Sequence, residues 1–137
     1  MSRSAVVVDA SAVVTVLLDS GTSGDWLARR LASTELFAPA LLAFECSNVI
    51  RRHELSGLIS SDQAAQAHAD LLDLPVESVP YESLAQRVWQ VRRNLTSYDA
   101  AYVALAEALD APLITLDQRL STAPGITCQV EVAPVGR

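Results

Sequence analysis

The chain has 137 residues, half of them hydrophobic, with 10 basic and 16 acidic side chains, a net charge of −6 and a pI near 4.7. That length suits one compact domain burying about two thirds of its unfolded surface, and this apolar content excludes global disorder. No apolar run is long enough to cross a bilayer and no secretory leader pattern precedes Asp9. The two cysteines, Cys46 and Cys128, lack the spacing of a zinc site or disulfide scaffold, so a cytoplasmic protein with reduced, buried thiols is expected.

Short β-rich runs alternate with longer helical ones. Residues 5–8 are short, β-branched and do not alternate, which marks a strand buried on both faces. Helices are expected over 12–18 and 24–33, the second with Ser23 as N-cap and Asp25/Arg29 at pairing distance. Residues 35–38 form a short strand stopped by Pro39. A long helix over 41–55 follows, closed by Gly57. Ser61 and Asp62 open a helix that runs to residue 74 and ends before Pro75. A strand over 76–79 and helices over 82–94 and 97–109 come next. Residues 112–116 form a buried strand with Asp117 at its end, and an edge strand closes by residue 132. Strands alternating with helices in this way specify an α/β fold with a mostly parallel sheet.

Open α/β sheets bind ligands beyond the carboxyl ends of their strands. Asp9 and Asp117 fall at two such ends. Glu45 lies in an apolar helical run, and its helical neighbours Leu41, Leu42, Asn48 and Val49 include no cation. Asp99 opens another apolar helix, with Leu95, Thr96, Tyr102 and Val103 at helical spacing. Acids in apolar surroundings are costly unless something positive compensates them, and a divalent cation does so. Each acid alone also has an ordinary reading. Asp9 and Asp117 suit turns or helix N-caps, Asp99 suits a helix first turn, and Glu45 suits a helix face reaching solvent.

Four stretches together resemble the PIN-domain nucleases: VVDASAV over 7–13, PALLAFE over 39–45 continuing to NVI at 48–50, SYDAAYVALAE over 97–107 and PLITLDQRL over 112–120. They stand in the family's order and span nearly the whole chain. Within the family the chain is similar to VapC toxins of bacterial type II toxin–antitoxin pairs. The resemblance implies a single PIN domain over 1–137, an α/β/α sandwich with a mostly parallel sheet. It implies Asp9, Glu45, Asp99 and Asp117 as catalytic metal-binding acids. It places Thr115 beside the metal as a supporting hydroxyl, and Ser11 is a second candidate for the same job. Magnesium is the expected ion, with manganese as a substitute. The number of ions stays open, because Leu120, Ser121 and Thr122 stand where some relatives carry a further acid.

The implied activity is hydrolysis of RNA phosphodiesters to 5′-phosphate and 3′-hydroxyl ends; tRNA, rRNA and mRNA stay open as substrates. Setting the four ligands aside leaves 12 acids against 10 bases, so the acidic balance is no bar to RNA. Every base is arginine, and Arg119, Arg51, Arg52, Arg92 and Arg93 are candidate backbone contacts, Arg119 being nearest a proposed ligand. His53 and His68 lie on helices and suit packing or surface roles. The resemblance also implies a small VapB-like antitoxin, seated in an apolar groove around Trp26-Leu27 and residues 41–50, and a homodimer. A receiver domain needs a late lysine, which is absent, and a haloacid-type phosphatase needs an acid where Ser11 stands. The alternative function is a catalytically silent PIN-fold module that binds RNA or protein.

Overall fold

The computed structural model describes residues 3–135. A five-stranded, wholly parallel sheet has the order β3-β2-β1-β4-β5. Its strands are β1 (Ser4–Val8), β2 (Thr34–Pro39), β3 (Val76–Val79), β4 (Leu113–Thr115) and β5 (Val130–Val132). The helices are α1 (Ala10–Leu18), α2 (Thr22–Leu31), α3 (Leu42–Leu55), α4 (Ser61–Asp73), α5 (Ala85–Gln90) and α6 (Ser97–Leu109), which give the expected α/β/α architecture. Among the described residues no helix is long and apolar enough to cross a membrane.

The topology places the site. The chain leaves β1 toward β2 and β3 on one side, then returns to lay β4 on the other side of β1. That reversal opens a crevice beyond the carboxyl ends of β1 and β4. Val6, Val7 and Val8, with Leu113, Ile114 and Thr115, are buried to 1% exposure or less, so these two strands are the fixed centre of the molecule. Helix α6 packs on β1, β2 and β4, and every residue from Ala100 to Ala106 is buried. A helix apolar all round is a core element.

Local signals explain most boundaries. Ser60 caps α4 in a reciprocal capping box with Gln63, one residue before the expected start. Gly57 takes a φ of +83° at the α3 exit, a conformation open to glycine without strain. Three expectations need correction. Helix α2 begins at Thr22 behind Gly21, and Ser23 is buried in its first turn, its hydroxyl donating to the Pro134 carbonyl. The α2 ion pair is Arg30–Glu131 at 2.7 Å, reaching β5, rather than Asp25–Arg29. The expected helix over 82–94 is a 3₁₀ turn at Tyr81–Ser83, the short α5 and a run of tight turns. There Asn94 donates to the Pro124 carbonyl, and Arg92 turns back on the Trp89 carbonyl.

Arg87 fastens this irregular segment. Its guanidinium meets Glu107 of α6 at 2.6 and 3.1 Å and the Gly125 carbonyl at 2.7 Å. Glu107 also accepts from the Thr127 amide and hydroxyl at 2.7 and 3.0 Å. Glu107→Ala is expected to cost about 2 kcal/mol, because it strips a charge-assisted cluster of its acceptor. Arg87, aided by Thr127, holds this carboxyl below its ordinary value of 4.5. A depressed folded-state pKa stabilises above the unfolded value, and that stabilisation is lost as pH falls through the folded one. Urea unfolding of the variant and wild type should therefore differ at pH 7 and converge in strong acid.

Candidate active site

Asp9 follows β1 with extended backbone and caps α1, its Oδ1 accepting from the Ala12 amide at 3.1 Å. Ser11 Oγ donates to the same oxygen at 2.6 Å, and Thr115 Oγ1 donates to Oδ2. Each hydroxyl in turn accepts a main-chain amide beyond β4. Ser11 takes that of Leu116 and Thr115 that of Asp117, both at 3.0 Å. A hydroxyl has one proton, and both protons are spent on Asp9, so the 3.4 Å approach of Ser11 to Thr115 is packing of oxygens. The two hydroxyls thus tie Asp9 to the end of β4.

Glu45 sits in the first turn of α3 and accepts at Oε1 from the Tyr102 hydroxyl of α6 at 2.6 Å. Asp99 occupies the first turn of α6, its amide bonded to the N-cap Thr96 at 3.1 Å. Asp117 follows β4 and caps the short 3₁₀ helix behind it. Its two oxygens face the Arg119 guanidinium as a fork, at 3.0 and 2.7 Å. Asp9 and Asp117 therefore do serve as caps, the ordinary reading of each, while standing in the crevice.

Electrostatics link the four. Burial raises the Asp9 carboxyl above its ordinary range against the pull of Ser11, Thr115 and Ala12, and Asp99 repels it further. Burial also raises Glu45, against the Tyr102 hydrogen bond, with repulsion from Asp9 and Asp99 added. Asp99 is raised by burial and then by Asp117. Asp117 alone is lowered, because Arg119 neutralises it. Asp99 thus stands within repulsive reach of Asp9, Glu45 and Asp117, and Glu45 within reach of Asp9. Asp99, Asp117 and Arg119 line an open cleft of about 300 Å³ with Asn94, Leu95 and Thr96. Among the described residues no three acids stand as a ready-made ligand set. The hydroxyls engage both Asp9 oxygens, and Arg119 engages both of Asp117.

The remaining expected residues fall elsewhere. Arg51 and Arg52 are exposed on the second half of α3, and Arg51 borders a shallow hollow with Glu54 and His68. Arg92 and Arg93 are exposed in the turns after α5, with Arg92 stacked 4.5 Å over the Trp89 ring. Leu27 is 0% exposed and belongs to the core, while Trp26 is half-buried against it. Exposed Phe44, with Leu41, Pro39, Tyr81, Leu84 and Ala101, walls an apolar hollow. Cys46 is buried and its thiol is pushed up to about 12, which makes it inert as a nucleophile. Sequence reasoning missed Tyr102 as the partner of Glu45. Its available signal was a phenol three residues after Asp99 within the otherwise apolar run 100–106.

The family model of the PIN domain matches residues 6–126, and the chain belongs to that family. It is 44% identical over 127 residues to ribonuclease VapC1 of Mycobacterium tuberculosis, covering 92% of this chain and 96% of that protein. Among solved structures, VapC20 of M. tuberculosis, a sarcin-ricin loop cleaving toxin, superposes with a TM-score of 0.66 at 17% identity over 94% of this chain and 99% of that one. The VapBC-5 toxin–antitoxin structure of M. tuberculosis gives 0.58 at 19% identity over 97% of this chain and 100% of that one. Within the PIN family the chain is a VapC-like ribonuclease.

Proposed function

We propose that Asp9, Glu45, Asp99 and Asp117 hold magnesium, and that the chain cuts RNA there to 5′-phosphate and 3′-hydroxyl ends. What supports this reading is that burial and neighbouring acids together raise Asp9, Glu45 and Asp99, with Asp117 acting on Asp99, although the four come from separate segments. Like charges are held together at a cost, and a cation at their centre removes it. The donor set is all oxygen, which suits magnesium, and manganese as a substitute, over softer metals. When bound, such an ion supplies a water of lowered pKa and neutralises charge on the reacting phosphate.

The protein's own residues do the rest. Ser11 and Thr115 fix the orientation of Asp9, and Thr115, at 0% exposure, cannot give way to solvent. Arg119 is 84% exposed at its side chain and free to trade Asp117 for an RNA phosphate, a partner of equal fork geometry. Such an exchange frees the Asp117 oxygens as substrate arrives. Arg92 and Arg93, exposed in the segment before Thr96 and Asp99, are further backbone contacts, with Arg51 and Arg52 more remote on α3. The 137 residues act as one catalytic unit, which pairs as a homodimer. A VapB-like antitoxin covers the crevice, with the hollow around Phe44 as its apolar seat.

The reading is tested on an RNA carrying a susceptible site. Excess EDTA should abolish cleavage, added magnesium or manganese should restore it, and every new 5′ end should carry phosphate. Undiminished cutting in chelator, or cyclic phosphate products, would defeat it.

A further inference from the structure

Tyr102 lies three residues after Asp99 on α6 and is 3% exposed. It carries the one polar group in the buried run from Ala100 to Ala106. A buried hydroxyl without a partner is costly, and phenylalanine would fill the same ring volume without that cost. The ring packs in the main core cluster, while the hydroxyl leaves it to donate to Glu45 Oε1 at 2.6 Å. Glu45 is a flexible side chain whose immobilisation opposes rotamer entropy. Among the described residues Tyr102 is its one hydrogen-bond donor. The bond spans 57 residues and joins the two helices that carry Glu45 and Asp99.

From this geometry we infer that Tyr102 is a positioning residue: its hydroxyl engages Glu45 Oε1, holds that carboxylate in one rotamer and leaves Oε2 for a divalent cation. The inference rests on reading the four acids as a metal site. It assigns Tyr102 no contact with RNA and no proton transfer. Its consequence is a metal site assembled in part before the ion arrives, with one oxygen of Glu45 reserved by the core.

The test is Mn²⁺ binding without RNA, read by electron paramagnetic resonance of the free ion. Wild type, Tyr102→Phe, Glu45→Gln, the Glu45→Gln/Tyr102→Phe double variant and Asp9→Asn are compared. Tyr102→Phe is expected to weaken Mn²⁺ about 10-fold, the lower end for losing a group that orients a ligand. Its melting temperature in EDTA should stay within about 4 °C of wild type, the shift that roughly 1 kcal/mol produces at this size. In RNA cleavage, half-saturating metal should rise by the same factor, with the rate recovering at saturation. In the Glu45→Gln background, Tyr102→Phe should change Mn²⁺ affinity no further. Wild-type affinity in Tyr102→Phe overturns the inference, as does an equal loss in both backgrounds, which marks a purely structural role. If Asp9→Asn binds Mn²⁺ as wild type does, the four-acid reading itself has failed. If Asp9→Asn loses the ion and Tyr102→Phe keeps it, only the positioning role has.

Discussion

Asp9→Asn is expected to lower magnesium-dependent RNA cleavage by at least about 100-fold while leaving the metal-free fold as stable as wild type or more so. The two effects separate because Asp9 has two jobs. As the cap of α1 it needs only an oxygen to accept from Ala12 and Ser11, and asparagine caps helices as well as aspartate does. As a proposed ligand it needs a charge, and that charge is buried beside Asp99 and Glu45. Removing it relieves repulsion and desolvation together. One local cost remains, since the asparagine amide meets the Thr115 hydroxyl that now donates to Oδ2. That hydroxyl can accept instead, although its bond to the Asp117 amide already uses one lone pair. Cleavage time courses with thermal melts in EDTA check both halves. Magnesium should raise the melting temperature of wild type by mass action and leave that of the variant unmoved. A variant that cuts RNA at the wild-type rate removes Asp9 from the chemistry.

Gly24→Ala is expected to destabilise the fold by about 3 kcal/mol, the upper part of the range for overpacking. Helix propensity points the other way, since alanine in place of a helical glycine ordinarily gains about 1 kcal/mol. Packing decides the sign. A Cβ at position 24 would stand 2.0 Å from the Asp19 carbonyl oxygen and 2.9 Å from its carbon. These are backbone atoms, so no rotamer change relieves the clash. The α1–α2 corner is also braced by Asp19, whose carboxylate accepts from the Gly21 and Gly24 amides at 2.8 and 3.2 Å. Opening the corner to admit a methyl group stretches those bonds too. Urea unfolding monitored at two probes should show a lower midpoint with an unchanged slope. An alanine variant as stable as wild type would mean that α2 can shift freely on α1.

Much of this was legible before any coordinates. The buried strands at 5–8 and 112–116, the helix at 97–109 and the acids at 9 and 117 announce themselves in contiguous residues. The segment after Pro80 was not. Its apolar residues Leu84, Val88 and Val91 have helical spacing, yet the chain tightens into turns. What holds it there is Arg87 on Glu107 and Asn94 on Pro124, contacts 20 and 30 residues distant. Ser23 is the same case in small. Its type suits an N-cap, but the Pro134 carbonyl, 111 residues away, claims its hydroxyl.

The acids divide along the same line. Their places at strand ends and helix starts could be read from the chain, because periodicity and capping act over a few residues. Which group answers each charge came only with folding: Ser11 and Thr115 for Asp9, Tyr102 for Glu45, Arg119 for Asp117. Apart from the near-neighbour contacts of Ser11 and Arg119, these partners lie 57 and 106 residues off. Coulomb energy and hydrogen bonding depend on separation in space, and a linear pattern does not carry that distance.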